Sequence, residues 1–451
     1  MIAARPLPGL AGRVSGDEGL ERVIGPFALG ANAVNLAVGA GVFALPSAVA
    51  ALVGPAAVIA YFFCGLTITC VLLCCAELGS QTPRSGGVMA YTEDAFGPLA
   101  GFLAWAVYAV GCCVMADAAI SHVLMDALAS SVPALRGGIP RVLAFAALFG
   151  GFALVNVRGV RYGSGLSVAA TLAKLAPLVL LIAVGLPAVR VEELRWTGMP
   201  PYSALGDASL LVFFIFMSPE GALTAGGEIR DPARTVPRAM VGTAATLVLL
   251  YVALQLVSQG VLGPELAGQG STPLASLAGR LLGSPGRRLL LACTAVAVFG
   301  SLSADMVNTP RSFFSAAREG LLPRHLAAVH ERFRTPHVAI IVYASLLFVV
   351  ASSGAFRPLA VLATISQLLV YLAVCLGVLR QRRLKAPAAG SFRIPGGPLI
   401  PITGTLAVLW LLSHSTAAEI GGIAALLAAS ATYYAVRTRM LERATGEAEG
   451  A

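Results

Sequence analysis

Residues Asn32 to Leu52 read "NAVNLAVGAGVFALPSAVAAL" and contain no charged side chain. A run of ~20 apolar residues crosses the hydrocarbon core of a bilayer as an α-helix. Its middle, Val38-Gly39-Ala40-Gly41-Val42, followed by Pro46, is poorly suited to one. Glycine in a helix interior costs about 1 kcal/mol relative to alanine, and proline removes a backbone donor. A helix weakened at its midpoint exposes N–H and C=O groups. In lipid these are tolerated only where they line a cavity or meet a ligand.

Similar apolar windows recur along the 451 residues, of which 57% are hydrophobic and 12% charged. A soluble chain of this length carries about twice that share of charge. The pattern reads as an all-α integral membrane protein, and a β-barrel, with short alternating strands, is excluded. Twelve spans are expected, at about 24–50, 54–79, 97–128, 141–157, 163–189, 205–228, 236–262, 286–317, 337–354, 357–379, 399–415 and 418–436. Residues 1–23 then form a cytoplasmic N-terminal segment, 24–436 the membrane-embedded domain and 437–451 a cytoplasmic tail. No cleavable signal peptide is visible, so the first span is expected to direct its own insertion.

The net charge of +9 would suggest nucleic acid until the charges are placed. The termini and even-numbered connections hold 21 Lys and Arg, and the odd-numbered connections hold eight. That asymmetry puts both termini in the cytoplasm and accounts for the basic balance without a nucleic-acid partner. All eight cysteines fall inside spans without metal-ligand spacing, and they are read as small apolar packers. No metal or cofactor is expected. The bias toward Ala, Gly, Leu, Val and Arg points to a GC-rich bacterial genome, and hence to a bacterial plasma membrane.

The sixth span repeats the anomaly of the first. In "LLVFFIFMSPEGALTAGGEIRDP" (Leu210–Pro232) the apolar run is interrupted by Ser218-Pro219-Glu220-Gly221. A pair of interrupted helices in corresponding positions of two halves marks a transporter site near the bilayer midplane. Small residues at Gly39-Ala40-Gly41 admit a substrate to the main chain, while the next half-helix offers free N–H groups to a carboxylate. The freed carbonyls of the sixth span suit an ammonium group, and an α-amino acid carries both. A helix-packing interface of small residues is the plainer explanation for one break, but not for two.

These residues carry a recognisable pattern. "GAGVFALP" resembles the G-S-G-I-F motif of the amino acid–polyamine–organocation (APC) superfamily, with Ala40 in place of Ser. The stretch "ELGSQTPRSGGVMAYTEDAFGPLAGFLAW" (77–105), "GGEIRDPARTVPRA" with Asp231 for Asn, and "RSFFSAAREGLLP" are similar to further motifs of that family in the same order. The resemblance covers roughly residues 24–440. It implies a five-plus-five inverted-repeat (LeuT-like) fold, about 24–189 against 205–380, with broken helices 1 and 6 and the last two spans outside. It also implies secondary transport of an amino acid, proton-coupled or exchanging, by alternating access, in which a bundle of spans 1, 2, 6 and 7 rocks against a scaffold that includes 3, 4, 8 and 9. An amine or polyamine transporter, or a neutral amino-acid exporter, is the alternative.

Site residues follow from the same resemblance. Gly39, Ala40, Gly41, Val42 and Ser218 belong to the main-chain site, with Phe214 and Met217 as its apolar wall. Lys174 matches a lysine standing where sodium-coupled relatives bind sodium, which implies sodium independence and a tie between spans 5 and 1. Glu220 matches an acidic residue after the second break and is read as a proton carrier, a gate, or a cap on the half-helix. Asp305 falls where arginine/agmatine exchangers carry a stacking tryptophan. Asp117 lies one turn beyond a substrate-contacting position near Cys113. Two carboxylates there favour a cationic amino acid or amine, unless they serve only as polar glue between helices. Charged residues beyond spans 6 and 8, from Glu228 to Arg238 and from Arg311 to Glu319, are expected to close the cytoplasmic face. An intramembrane enzyme lacks a nucleophile–base pair, a channel lacks a repeated filter, and a primary pump lacks its nucleotide motif.

Overall fold

The computed structural model describes residues 22–449 apart from 83–85, 131, 159–163, 197, 319 and 385–389; side chains at 40, 164–173 and 441–449 are also outside the description. Part of the Pro-Arg-x-Gly-Gly stretch, Glu319 and nearly all of the N-terminal segment therefore lie outside the described residues. Among those described, every element is helical except an isolated parallel bridge between Ile24 and Ile229.

The first span is two helices, α1 (Pro26–Ala37) and α2 (Leu45–Val53), separated by a short 3-10 turn at Ala40–Phe43. After Gly54, in a left-handed conformation, α3 (Ala57–Gln81) returns as the second span. A short helix, α4 (Gly87–Phe96), occupies the connection to the third span, where the sequence suggested only a loop. The third span is α5 (Pro98–Ala106) and α6 (Met115–Ala129) joined through a π-helical stretch at Val107–Val114. Next come α7 (Gly138–Arg158) and α8 (Ser164–Gly185).

The sixth span, α9 (Tyr202–Phe216), breaks at Met217-Ser218 and continues as a 3-10 segment, Pro219–Glu228. It is followed by α10 (Pro232–Leu262) and α11 (Pro273–Arg318), the latter interrupted at Gly283, whose φ is +71°. The remaining helices are α12 (His337–Ser353), α13 (Phe356–Leu384), α14 (Leu399–Leu412) and α15 (Ala417–Glu449). The last helix runs past the expected end at residue 436, so much of the proposed tail is a helical extension.

Among the described residues, eight helices are long and apolar enough to cross a membrane; His337–Ser353, Leu399–Leu412 and the fully described part of α8 with its continuation, Lys174–Ala188, are shorter apolar stretches. Span 1 adds none of its own, because its break leaves neither half long enough. Burial separates centre from periphery: 78% of the most apolar window of α9 and its continuation is buried, and 72% of that of α13, against 6% for α15. The broken sixth span is thus at the heart of the molecule. Glu77 at the end of α3 is 1% exposed. It accepts hydrogen bonds from Arg382 Nε at 2.7 Å, Arg382 Nη2 at 2.5 Å and the Ile394 amide at 2.8 Å. This bidentate pair pins α3 and α13 to the segment before α14, with the carboxylate's lone pairs well used.

Candidate functional site

At the first break the chain leaves α1 through Val38 (ψ 78°) and an extended Gly39 (φ −94°, ψ −170°). Gly39, the residue before the Ala40–Phe43 turn, has no side chain to cap it, and the amide end of a helical turn suits an anionic ligand. The two glycines differ in their surroundings. A Cβ on Gly39 would meet nothing closer than the Ala37 carbonyl at 4.0 Å, whereas one on Gly41 would lie 2.8 Å from two carbons of the Phe214 ring. Gly39 is therefore the point of open approach, and Gly41 is the point where the first and sixth spans touch. Val42, Phe214 and Met217 are all buried around that contact.

The second break is held from the side. Ser218 adopts φ 78°, a left-handed conformation that costs a non-glycine residue about 1–2 kcal/mol. Its amide donates to the Tyr371 hydroxyl at 3.2 Å, and that hydroxyl donates to Glu220 Oε2 at 2.5 Å. Gln367 Nε2 donates to Glu220 Oε1 at 2.8 Å. Gln367 and Tyr371 stand one turn apart on α13, so a single helix face grips the unwound segment. Glu220 is 1% exposed, and its carboxyl is fully engaged. Gly221 faces Leu36 at the end of α1, with a Cβ-to-side-chain clearance of 3.3 Å, which brings the two breaks together.

The π-helical stretch sets the third wall. Widening the helix at Val107–Val114 redirects Tyr108, Cys112 and Cys113 relative to an α-helical course, a distortion often found at functional sites. Beyond it, Asp117 is 3% exposed and accepts from the Tyr343 hydroxyl of α12 at 2.5 Å. The Asp305 carboxyl of α11 lies beside that of Asp117 and near Lys174. Asp305 itself is only partly buried.

Lys174, 7% exposed, donates to Ser301 Oγ at 3.0 Å. Among the described residues, its hydroxyl partner and a nearby carboxyl thus stand on α11. The expected charge closure beyond the spans is sparse in the described residues. Asp231 and Arg234 pair at 3.8 Å on an exposed turn, and Arg311 turns back to the Val307 carbonyl. A cavity of about 360 Å³ opens beyond Asp305, lined by Asn156, Arg158, Met306, Arg311, Arg332 and Thr335 among others; it is separate from the two breaks.

The chain matches the model of the amino acid permease family over residues 24–429. It belongs to that family. The protein is accordingly a multi-pass membrane transporter of the APC superfamily and not an enzyme. It is similar to the serine/threonine exchanger SteT of Bacillus subtilis, 27% identical over 406 residues that cover 87% of this chain and 90% of that one. The methylthioribose transporter of the same organism is 26% identical, with 91% and 92% covered. The polyamine transporter PUT1 of Oryza sativa is 28% identical, with 75% and 64% covered. Sequence reasoning missed Tyr371, Gln367 and Tyr343 as partners of the acidic groups. Nothing local announces them, because each lies more than 140 residues from the carboxyl it serves.

Proposed function

We propose that this permease moves α-amino acids across the bacterial plasma membrane by alternating access, without sodium, and favours those with a cationic side chain. The observation that carries this reading is the meeting of two main-chain breaks, one uncapped and open at Gly39, beside a wall bearing Asp117 and Asp305. The substrate carboxylate takes the free amides after Gly39, and its ammonium takes carbonyls freed at the breaks. Twelve spans in two inverted five-helix repeats, with both termini cytoplasmic, provide the frame in which the broken spans rock.

Charge balance suggests how the side chain is read. With one proton shared between the two carboxyls and Lys174 charged, the group is neutral. A cationic side chain then enters by displacing that proton, so binding and proton release become one event, in proton coupling or in exchange. Lys174 supplies the fixed positive charge that would otherwise fall to a bound cation. An amine or polyamine is the second reading, favoured by the same two carboxyls. The deciding experiment is a thermal-shift screen of the purified protein against amino acids and amines, since a ligand of the folded state raises apparent stability. Hits are then followed by uptake into proteoliposomes with and without sodium. Stabilisation by lysine, arginine or ornithine with sodium-free uptake is expected; strict sodium dependence would overturn the reading.

A further inference from the structure

Helix α10 carries an unusual polar stripe. Tyr251, Gln255, Ser258 and Gln259 recur at helical spacing along about 12 Å of one face. All four are at most 3% exposed. Tyr251 donates to the Ala37 carbonyl at 3.2 Å, at the lip of the first break. At the other end Gln259 Nε2 reaches the carbonyls of Glu193 and Gly263, each at 3.4 Å, beside the Arg190–Glu193 ion pair. Opposite lies α3. Gly65 faces Val248 and Gly79 faces Val236, an antiparallel register that sets Tyr61 level with the stretch from Tyr251 to Gln255.

Five buried polar atoms in this seam have no partner among the described residues: Tyr61 Oη, both amide atoms of Gln255, Ser258 Oγ and Gln259 Oε1. Orphan polar groups are rare in native interiors and call for a ligand that both donates and accepts. The seam offers hydroxyls and amides but no charged side chain until its mouth at Arg190 and Glu193. Water satisfies such a lining, with two to four hydrogen bonds per molecule, whereas a bare ion would lack a counter-charge.

We propose that Tyr61, Tyr251, Gln255, Ser258 and Gln259 hold a row of ordered waters running from the first break to the Arg190–Glu193 mouth. This row supplies water to the freed carbonyls when substrate has left and the main route is shut. The seam lies between spans 2 and 7, away from the open approach at Gly39, so it serves the empty carrier rather than the loaded one. The idea rests on the transporter reading but not on the identity of the substrate.

The test has two arms on the full-length protein in a bilayer. In the first, an X-ray pulse generates hydroxyl radicals from local water, and labelling is read by mass spectrometry. Tyr61 and Tyr251, 1% and 0% exposed, are expected to label far faster than the equally buried Phe149. Labelling no faster than Phe149 overturns the water row. In the second arm Gln255→Leu, and the milder Ser258→Ala should the first not reach the membrane, are compared in net uptake and in exchange. Net uptake, which needs return of the empty carrier, is expected to slow several-fold while exchange is unchanged. Equal loss in both modes, or no loss in either, overturns the role in the empty carrier. Should no amino acid or amine bind the wild type, the functional reading fails, while the labelling still decides the row.

Discussion

The two breaks face one another across a few ångströms and are built on opposite plans. The first is loose: an extended Gly39 with no side chain to cap the turn that follows and, among the described residues, one side-chain hydrogen bond, from Tyr251 to the Ala37 carbonyl. The second is gripped: a strained Ser218 and a buried Glu220 held by Tyr371 and Gln367 of a single helix. Unsatisfied backbone in lipid is costly, and the protein meets that cost itself at only one of the two sites. The loose break is thereby left to a transient partner, and the gripped one supplies a fixed surface for it to work against.

Substitutions at the loose break give the largest expected effect. Gly41→Leu drives a side chain into the Phe214 ring, 2.8 Å from where its Cβ would stand. Transport of every substrate should be lost in proteoliposomes while the protein still reaches the membrane. Gly39→Ala, which meets nothing within 4 Å except the Ala37 carbonyl, should be far milder without ligand and yet weaken ligand binding. Equal behaviour of the two variants would erase the distinction drawn between these glycines.

At the gripped break, Tyr371→Phe deprives a buried carboxyl and the Ser218 amide of one hydroxyl. Leaving a buried polar group unsatisfied costs about 1–3 kcal/mol. A lower melting temperature and slower turnover should follow, with substrate affinity changed less. A pure loss of affinity with stability unaltered would move Glu220 from frame to ligand site.

Asp305→Asn sharpens the comparison along a third wall. Removing one partner of a buried charge pair costs about 3–5 kcal/mol, and Asp305, partly buried, becomes such a partner once bound substrate covers it. Binding of a cationic amino acid, read by calorimetry, should therefore weaken by at least about a hundredfold, and that of a neutral one should hardly change. An unchanged cationic affinity would reduce the acidic pair to helix glue. The smallest effect is expected from the ions in solution. Wild-type uptake should be indifferent to sodium, and Lys174→Ala should slow it, in radiolabelled uptake assays; a requirement for sodium would separate this site from the reading of Lys174.

The breaks were legible because their causes are local. Gly39 and Gly41 in one span, and Pro219 and Gly221 in the other, weaken the helix at a point written in the local sequence, and Pro46 suits the start of α2. The all-helical, membrane-spanning character was legible for a similar reason, since apolar length is written residue by residue. The grip on Glu220 was not, because Gln367 and Tyr371 become its neighbours only once the chain has folded. Nor was the π-helical stretch at Val107–Val114, whose apolar sequence suits an α-helix equally well. Lys174 announced a partner by its charge alone, and only packing decided that the partner would be Ser301.

One small feature ties the start of the first broken span to the end of the second. The Ile24 amide donates to the Glu228 carbonyl and the Arg230 amide to the Ile24 carbonyl, each at 3.0 Å. These paired bonds make a one-residue seam of sheet in a helical protein. Neither broken span can swing at that end without tearing the seam or carrying its partner along. Deuterium uptake at the amides of Ile24 and Arg230 would then keep common time, a two-residue clock for the opening of one end of the transporter.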